Sequence, residues 1–243
     1  MKKAIGYVYG IAAAVCWGFL GLFNRVLTAA GVSLLNMMPL RFGGTAILFT
    51  VFCMMFKQQV FHIKLRHLPI FLGSGLISML LVLCGCALVS GIVGSDVGIS
   101  LEGLLMGLAS ELCYGGYTIF THYGMRYCDS FTMAYWTFLI AGIASLFLAD
   151  GPALLSALAE PRTGLAALGL MVMGTALPFT LYTKGLETVE SGKAAIIANI
   201  EPVMSAVIGV TVFQETLGLW TLVGIVLVLS GVVVLACEKE PDK

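Results

Sequence analysis

The chain has 243 residues, 59% hydrophobic and 11% charged, with a formal net charge of zero and a mean hydropathy of +1.01. Soluble globular domains carry roughly a quarter of charged residues, so this composition excludes them and describes a polytopic membrane protein. Zero net charge, with no long block of one sign, argues against a nucleic-acid partner.

About twenty apolar residues cross a bilayer as a helix, which predicts about eight spans: residues 7–27, 35–56, 70–93, 101–120, 131–148, 165–181, 194–213 and 217–236. The first follows Lys2 and Lys3 and imitates a secretory signal, but its apolar run extends to Leu27 and further spans follow, so it reads as uncleaved. The connections are short, the longest being 57–69 and 149–164, which leaves no soluble domain to house separate chemistry. One side collects Lys2, Lys3, Lys57, Lys64, Arg66, Arg126, Lys184, Lys193, Lys239 and Lys243. The other has Arg162, with Arg25 and Arg41 near helix ends. This asymmetry predicts that both termini are cytoplasmic.

The cysteines form no CxxC pair and fall mostly in apolar runs, as small buried residues do. The segments Gly6-x-x-x-Gly10, Gly103-x-x-x-Gly107 and Ser205-x-x-x-Gly209 would let backbones approach closely. GIAAAVCWG at 10–18 returns as GLASELCYG at 107–115, and GSGLISML at 73–80 returns as GTALPFTL at 174–181. LVLCGCALVSG at 81–91 matches LVLSGVVVLAC at 227–237, so the first half lacks about 45 residues that the second has at 182–226. Residues 1–93 then form a shortened first repeat of three spans, and 94–243 a second repeat of five. Odd numbers of spans make the halves run in opposite directions, an architecture common among secondary transporters, with the substrate site at the repeat interface. Trp17 and Tyr114 are repeat-equivalent and should meet there.

Within span seven, Glu201-Pro202 places an acid and a helix breaker where the helix would lie deepest in lipid. A charge at bilayer centre costs about 2.5 to 3.5 kcal/mol on the lenient insertion scale, and proline disturbs the carbonyl of Ala198. Either this helix faces a polar cavity, or it is kinked with Glu201 bonded to a neighbouring helix. Asn199 and Glu201 are two apart and point to different faces unless the helix unwinds near Pro202. Glu111 precedes Tyr114 by three residues, and Thr118 follows one turn on, so all three share a face. Glu111 could take a cationic group or a proton, or be an acid satisfied within the bundle. Trp17 could stack on a substrate or pack between helices. Asn24, seven residues further, could extend a polar track towards the outer side, cap a helix or make a helix–helix bond. Arg41 could pair with an acid or snorkel to a headgroup, a headgroup contact being favoured over a substrate contact; Glu215 is expected to cap the last span, and Lys193 to mark the cytoplasmic boundary.

Enzyme chemistry finds no motif: His62, His67 and His122 are scattered in or beside loops, and Ser191-Gly192-Lys193-Ala194 lacks the glycine and hydroxyl of a phosphate loop. No cofactor or metal is expected. The residues Cys16-Trp17-Gly18, Arg41, Glu201-Pro202-Val203, Gly209 and Glu215 resemble those of the drug/metabolite transporter superfamily, in its ten-span EamA-like branch. That resemblance implies an all-α membrane bundle of two inverted repeats around a central cavity, moving small metabolites by alternating access. This chain departs from it in having about eight spans. Two expectations follow. The first is a carrier of small organic metabolites, amino-acid-like or drug-like, in the cytoplasmic membrane, for which an intramembrane acid permits proton coupling. The second is a transport-inactive shortened relative acting as a membrane-embedded partner. A homo-oligomer would reconcile them by supplying the missing wall.

Overall fold

The computed structural model describes residues 2–56, 58–61, 67–89 and 101–237, and all regular structure among them is helical. Four continuous helical stretches are long and apolar enough to cross a membrane: Ala4–Ala29, Leu35–Phe56, Pro161–Leu186 and Ser191–Phe213. The protein is an all-α membrane helix bundle. The other predicted spans are also helical over their described residues, except that the last helix begins at Leu219 rather than at 217. Lys57, Lys64, Arg66, Lys239, Lys243 and His62 lie outside the described residues, as does the end of the third predicted span.

The long stretches are interrupted, and the interruptions follow from the sequence. The first consists of α1 (Lys2–Gly18) and α2 (Leu20–Ala29), joined through Phe19, whose amide donates to the Cys16 carbonyl at 3.1 Å in a tightened turn. Gly31, at φ 83°, lets the chain leave α2 while Val32 N–H returns to Leu27 O at 3.0 Å. The second stretch is α3 (Leu34–Met38), a π turn over Pro39–Gly43, and α4 (Gly44–Phe56). Pro39 has no N–H to give, so the ladder widens there. A 3₁₀ turn, Gln58–Phe61, precedes α5 (Leu68–Val89), followed by α6 (Leu101–Gly124) and α7 (Ser130–Ser145).

The expected 149–164 connection contains a short helix, α8 (Gly151–Leu158), begun by the Asp150 carboxylate accepting from Ala153 N–H at 3.3 Å. Next come α9 (Pro161–Met171), a second π turn over Val172–Ala176, and α10 (Leu177–Leu186), with Pro178 in its first turn. α11 (Ser191–Ala198) stops at Asn199, and α12 (Ile200–Phe213) restarts with Glu201 and Pro202 in its first turn. The carbonyl that Pro202 cannot engage is that of Ala198, where α11 ends. α13 (Leu219–Cys237) completes the described chain.

α1 packs against α10, α11 and α12, while α5 packs on α6 and α7, and α2 on α9. Small residues permit the closest approaches. A Cβ at Gly185 would lie 3.0 Å from the Gly6 carbonyl oxygen, so α1 and α10 touch backbone to backbone. Ser205 Oγ donates to Gly18 O at 3.2 Å, tying α12 to the end of α1. The two π turns belong to facing helices, bridged by Arg41 Nε to Thr175 Oγ1 and by Thr45 Oγ1 to Met171 O, both at 3.1 Å.

Candidate functional site

A cluster of buried rings lies where α1, α6 and α10 meet. Trp17 on α1 is 3% exposed. Its ring centroid sits 5.1 Å from Phe179 and 5.3 Å from Tyr182, both on α10, and 6.4 Å from Tyr114 on α6. The Phe179 ring packs edge-on against Phe138 of α7 at 5.0 Å. Such edge-to-face arrangements are the preferred geometry of aromatic pairs. The sequence reading missed Phe179 and Tyr182.

The cluster is polar as well as aromatic. Thr118 Oγ1 donates to the Tyr114 carbonyl at 3.0 Å and accepts from the Tyr182 hydroxyl at 3.1 Å. Trp17 Nε1 and Tyr114 OH are buried and make no hydrogen bond. Thr121 on α6 and Thr183 on α10 are at most 1% exposed, and their hydroxyls are likewise without a direct bond. Residues 114, 117, 118 and 121 follow the spacing of one helical face, as do 179, 182 and 183. That spacing was the available signal for the missed residues.

Glu201, half-buried in the first turn of α12, is within electrostatic reach of the Tyr114 hydroxyl. An acid there is favoured by the amides and dipole of the helix start. The break at Asn199 sets Asn199 outside the buried group; it is exposed, whereas Glu201 is not. Asn24 is half-buried on α2, past the tightened turn at Phe19. The Glu111 backbone belongs to α6, but its side chain lies outside the described residues. Lys193 is half-buried in the first turn of α11.

Arg41 is half-buried in the π turn, where its Nε donates to Thr175 and its guanidinium carbon lies 6.0 Å from the centre of the Phe179 ring. One residue differs from its sequence-based expectation. Glu215 does not cap α13. Its carboxylate accepts from Arg25 of α2 at 2.5 Å, while its amide donates to Gly209 O at 3.1 Å. Gln214, at φ 56°, makes the left-handed turn that turns Glu215 back towards α2. Outside the spans, burial pushes the Cys128 thiol up to about 11, with Asp129 adding to it, which leaves it protonated and unreactive at neutral pH. Among the described residues no three histidine, cysteine or acidic side chains are grouped to hold a metal.

A ring cluster with unpaired donors, an acid at a helix break and long apolar helices describe a membrane protein with a polar interior. Residues 101–237 match the model of the EamA-like transporter family. The chain belongs to that family. It is 41% identical over 68 residues to an uncharacterized transporter of Archaeoglobus fulgidus, a match covering 28% of this chain and 25% of that protein. It is 26% identical over 174 residues to the uncharacterized transporter YwfM of Bacillus subtilis, covering 70% of this chain and 57% of YwfM. It is 32% identical over 87 residues to the multidrug resistance protein EbrB of Bacillus atrophaeus, covering 35% of this chain and 74% of EbrB. The chain thus spans little more than half, at most, of the length of these uncharacterized transporters. With its long apolar helices, the chain is a multi-pass membrane protein of a transporter family.

Proposed function

We propose that the chain moves small organic metabolites across the cytoplasmic membrane by alternating access of two inverted halves, 1–93 and 94–243, with both termini on the cytoplasmic side. The observation that carries the proposal is the meeting of Trp17, Tyr114 and Tyr182 from three helices with two buried donors, Trp17 Nε1 and Tyr114 OH, left unpaired. Buried polar atoms in native proteins are ordinarily bonded, and the exceptions mark functional positions or bound molecules. Flat rings with inward-facing donors suit an organic solute that offers both an apolar face and an acceptor. The name of EbrB extends the class to drug-like molecules.

Glu201 is the group that takes a cationic substrate or a coupling proton, and the helix break at Asn199-Pro202 supplies the loosened backbone that alternating access needs. Asn24, Glu111 and Asn199 extend the pathway on either side. Glu201→Gln keeps shape and removes the charge. In proteoliposomes loaded with a mixed pool of metabolites and organic cations, the variant should insert normally and lose efflux; unchanged efflux would remove Glu201 from the mechanism.

The alternative is a shortened relative that does not transport and serves as a membrane-embedded partner. It is favoured by the internal gap at 80–81, where the first repeat lacks the counterpart of 182–226. Inserting a copy of 182–226 after Leu80 separates the two readings. Efflux by the native chain supports a carrier, and efflux only by the restored chain supports the inactive relative.

A further inference from the structure

α5 and α6 run antiparallel, and glycines bring them close at one end. A Cβ at Gly73 would lie 2.6 Å from the Phe120 ring, and one at Gly124 would lie 3.1 Å from the Ile70 side chain. That contact sets His67, one turn before Ile70, against Tyr127, just past the end of α6, with ring centroids 4.4 Å apart. Tyr127 in turn meets Tyr123, hydroxyl to hydroxyl at 3.0 Å. The Arg126 guanidinium carbon lies 5.3 Å from the centre of the Tyr123 ring. Tyr123, Arg126 and Tyr127 are exposed, and His67 is half-buried. Among the described residues no carboxylate pairs with Arg126; the nearest acid in sequence, Asp129, accepts from the Thr132 hydroxyl. The α6 face that ends in Tyr123 is otherwise apolar. Leu112 and Ile119 share it and are exposed, and a Cβ at Gly115, between them on that face, would meet nothing within 4 Å. In a membrane bundle such a face meets lipid, and tyrosines sit where it reaches the headgroups.

We propose that this end of α5 and α6 binds an anionic phospholipid, with its phosphate on Arg126, the Tyr123 hydroxyl and His67, and one acyl chain along Leu112, Gly115 and Ile119. A phosphodiester has two unesterified oxygens, which a planar guanidinium fork takes together. The Tyr123 ring beneath the guanidinium holds the fork in place. One O–H is spent between the two tyrosines; with Tyr127 as its donor, the Tyr123 O–H is left for a phosphate oxygen. In sequence, Lys64 and Arg66 come just before His67, which adds positive charge to this part of the chain. A phosphoglycerol headgroup complements that charge, whereas phosphocholine brings a cation of its own. The lipid site is separate from the transport pathway proposed above and does not rest on it.

The test is native mass spectrometry of the full chain in nonionic detergent, titrated with dioleoyl phosphatidylglycerol or dioleoyl phosphatidylcholine. Wild-type protein should retain one phosphatidylglycerol at least about tenfold more tightly than phosphatidylcholine. Arg126→Gln should weaken that binding at least about tenfold, and Tyr123→Phe by a smaller factor. Arg162→Gln, which removes one positive charge at the start of α9, should change it by less than about twofold. Equal retention of the two lipids would describe an ordinary lipid-facing surface and overturn the proposal. Unchanged binding in Arg126→Gln, or equal losses in Arg126→Gln and Arg162→Gln, would overturn it too, the latter by reporting net charge alone. Inorganic phosphate is added in a separate arm: if it displaces phosphatidylglycerol at an equal concentration, the site belongs to a free phosphate and not to a lipid. Melting temperature in detergent checks that the variants fold. Tyr123→Phe, which keeps the ring, reads the same site if Arg126→Gln does not fold.

Discussion

Trp17 and Trp136 are the same side chain in two settings. Trp136, on α7, donates its indole N–H to the Val60 carbonyl at 2.9 Å and lies tilted against Phe71 at 5.9 Å, fastening the Gln58–Phe61 turn to the bundle. Trp17 is more deeply buried, touches rings from two other helices, and its N–H meets nothing. An unmet buried donor costs about 1–3 kcal/mol, so a sequence selected for stability alone would place phenylalanine or leucine at 17. The difference separates a residue that holds the fold from one that keeps a capacity in reserve.

Truncation should break both sites but to different degrees. Trp17→Ala removes a fully buried ring at a three-helix junction and should cost about 3–5 kcal/mol, read as loss of monodisperse protein in detergent. Phenylalanine sharpens the contrast. Trp136→Phe should lower stability by about 1 kcal/mol through the lost bond to Val60, with transport retained. Trp17→Phe should leave stability within about 1 kcal/mol of wild type while efflux falls, because the N–H it deletes has no partner inside the protein. If both phenylalanine variants lose stability equally and neither loses transport, the distinction between the two tryptophans is wrong.

That distinction was only half legible in the sequence. The four long apolar helical stretches were readable because about twenty apolar residues have one physical use in a helical chain. The Trp17–Tyr114 pair was readable from the likeness of 10–18 to 107–115, which set the two rings at matching positions. Phe179 and Tyr182 were not found, since an aromatic in an apolar run looks the same whether it faces lipid or a partner helix; only their helical spacing with Thr183 hinted at a face. The bond from Arg41 to Thr175 was not foreseen for the same kind of reason: it joins two helices 134 positions apart, beside the bonds that Thr45 and Thr175 make to backbone carbonyls. Glu215 sits where a capping acid belongs, and its true partner, Arg25, is 190 positions away.

The Arg25–Glu215 pair extends the comparison to a polar contact that is complete but exposed. The side chains are 53% and 47% exposed, and the guanidinium also lies 4.4 Å from the centre of the Phe213 ring. Water and ions screen such a pair, so Arg25→Gln and Glu215→Gln should each cost no more than about 1 kcal/mol. The double variant should cost little more than either single one, and the coupling should vanish in high salt. Thermal unfolding in detergent at low and high ionic strength measures it. A large, salt-independent loss would mean that the pair is shielded, for instance by lipid.

The smallest effect belongs to the start of α9, where the partner is local and every bond is made. Glu160 caps the helix: its carboxylate accepts from Thr163 N–H at 3.0 Å and from the Thr163 hydroxyl. The hydroxyl is the main reason the carboxyl is held below its ordinary value of 4.5, with the Thr163 amide and the neighbouring Arg162 adding to it. A folded-state pKa lowered in this way stabilises the helix start above the ordinary carboxylate range. The contribution fades as pH falls through the lowered value, when the carboxylate that accepts both bonds is neutralised. Hydrogen exchange at the amides of Thr163 and Gly164 should therefore stay slow at pH 4.5 and accelerate only below it in the wild type. In Thr163→Ala the carboxylate loses its strongest partner, so the acceleration should begin at higher pH. Coincident pH profiles would show that the hydroxyl does not hold the charge, and that this cap, like an ordinary exposed acid, does no more than meet water.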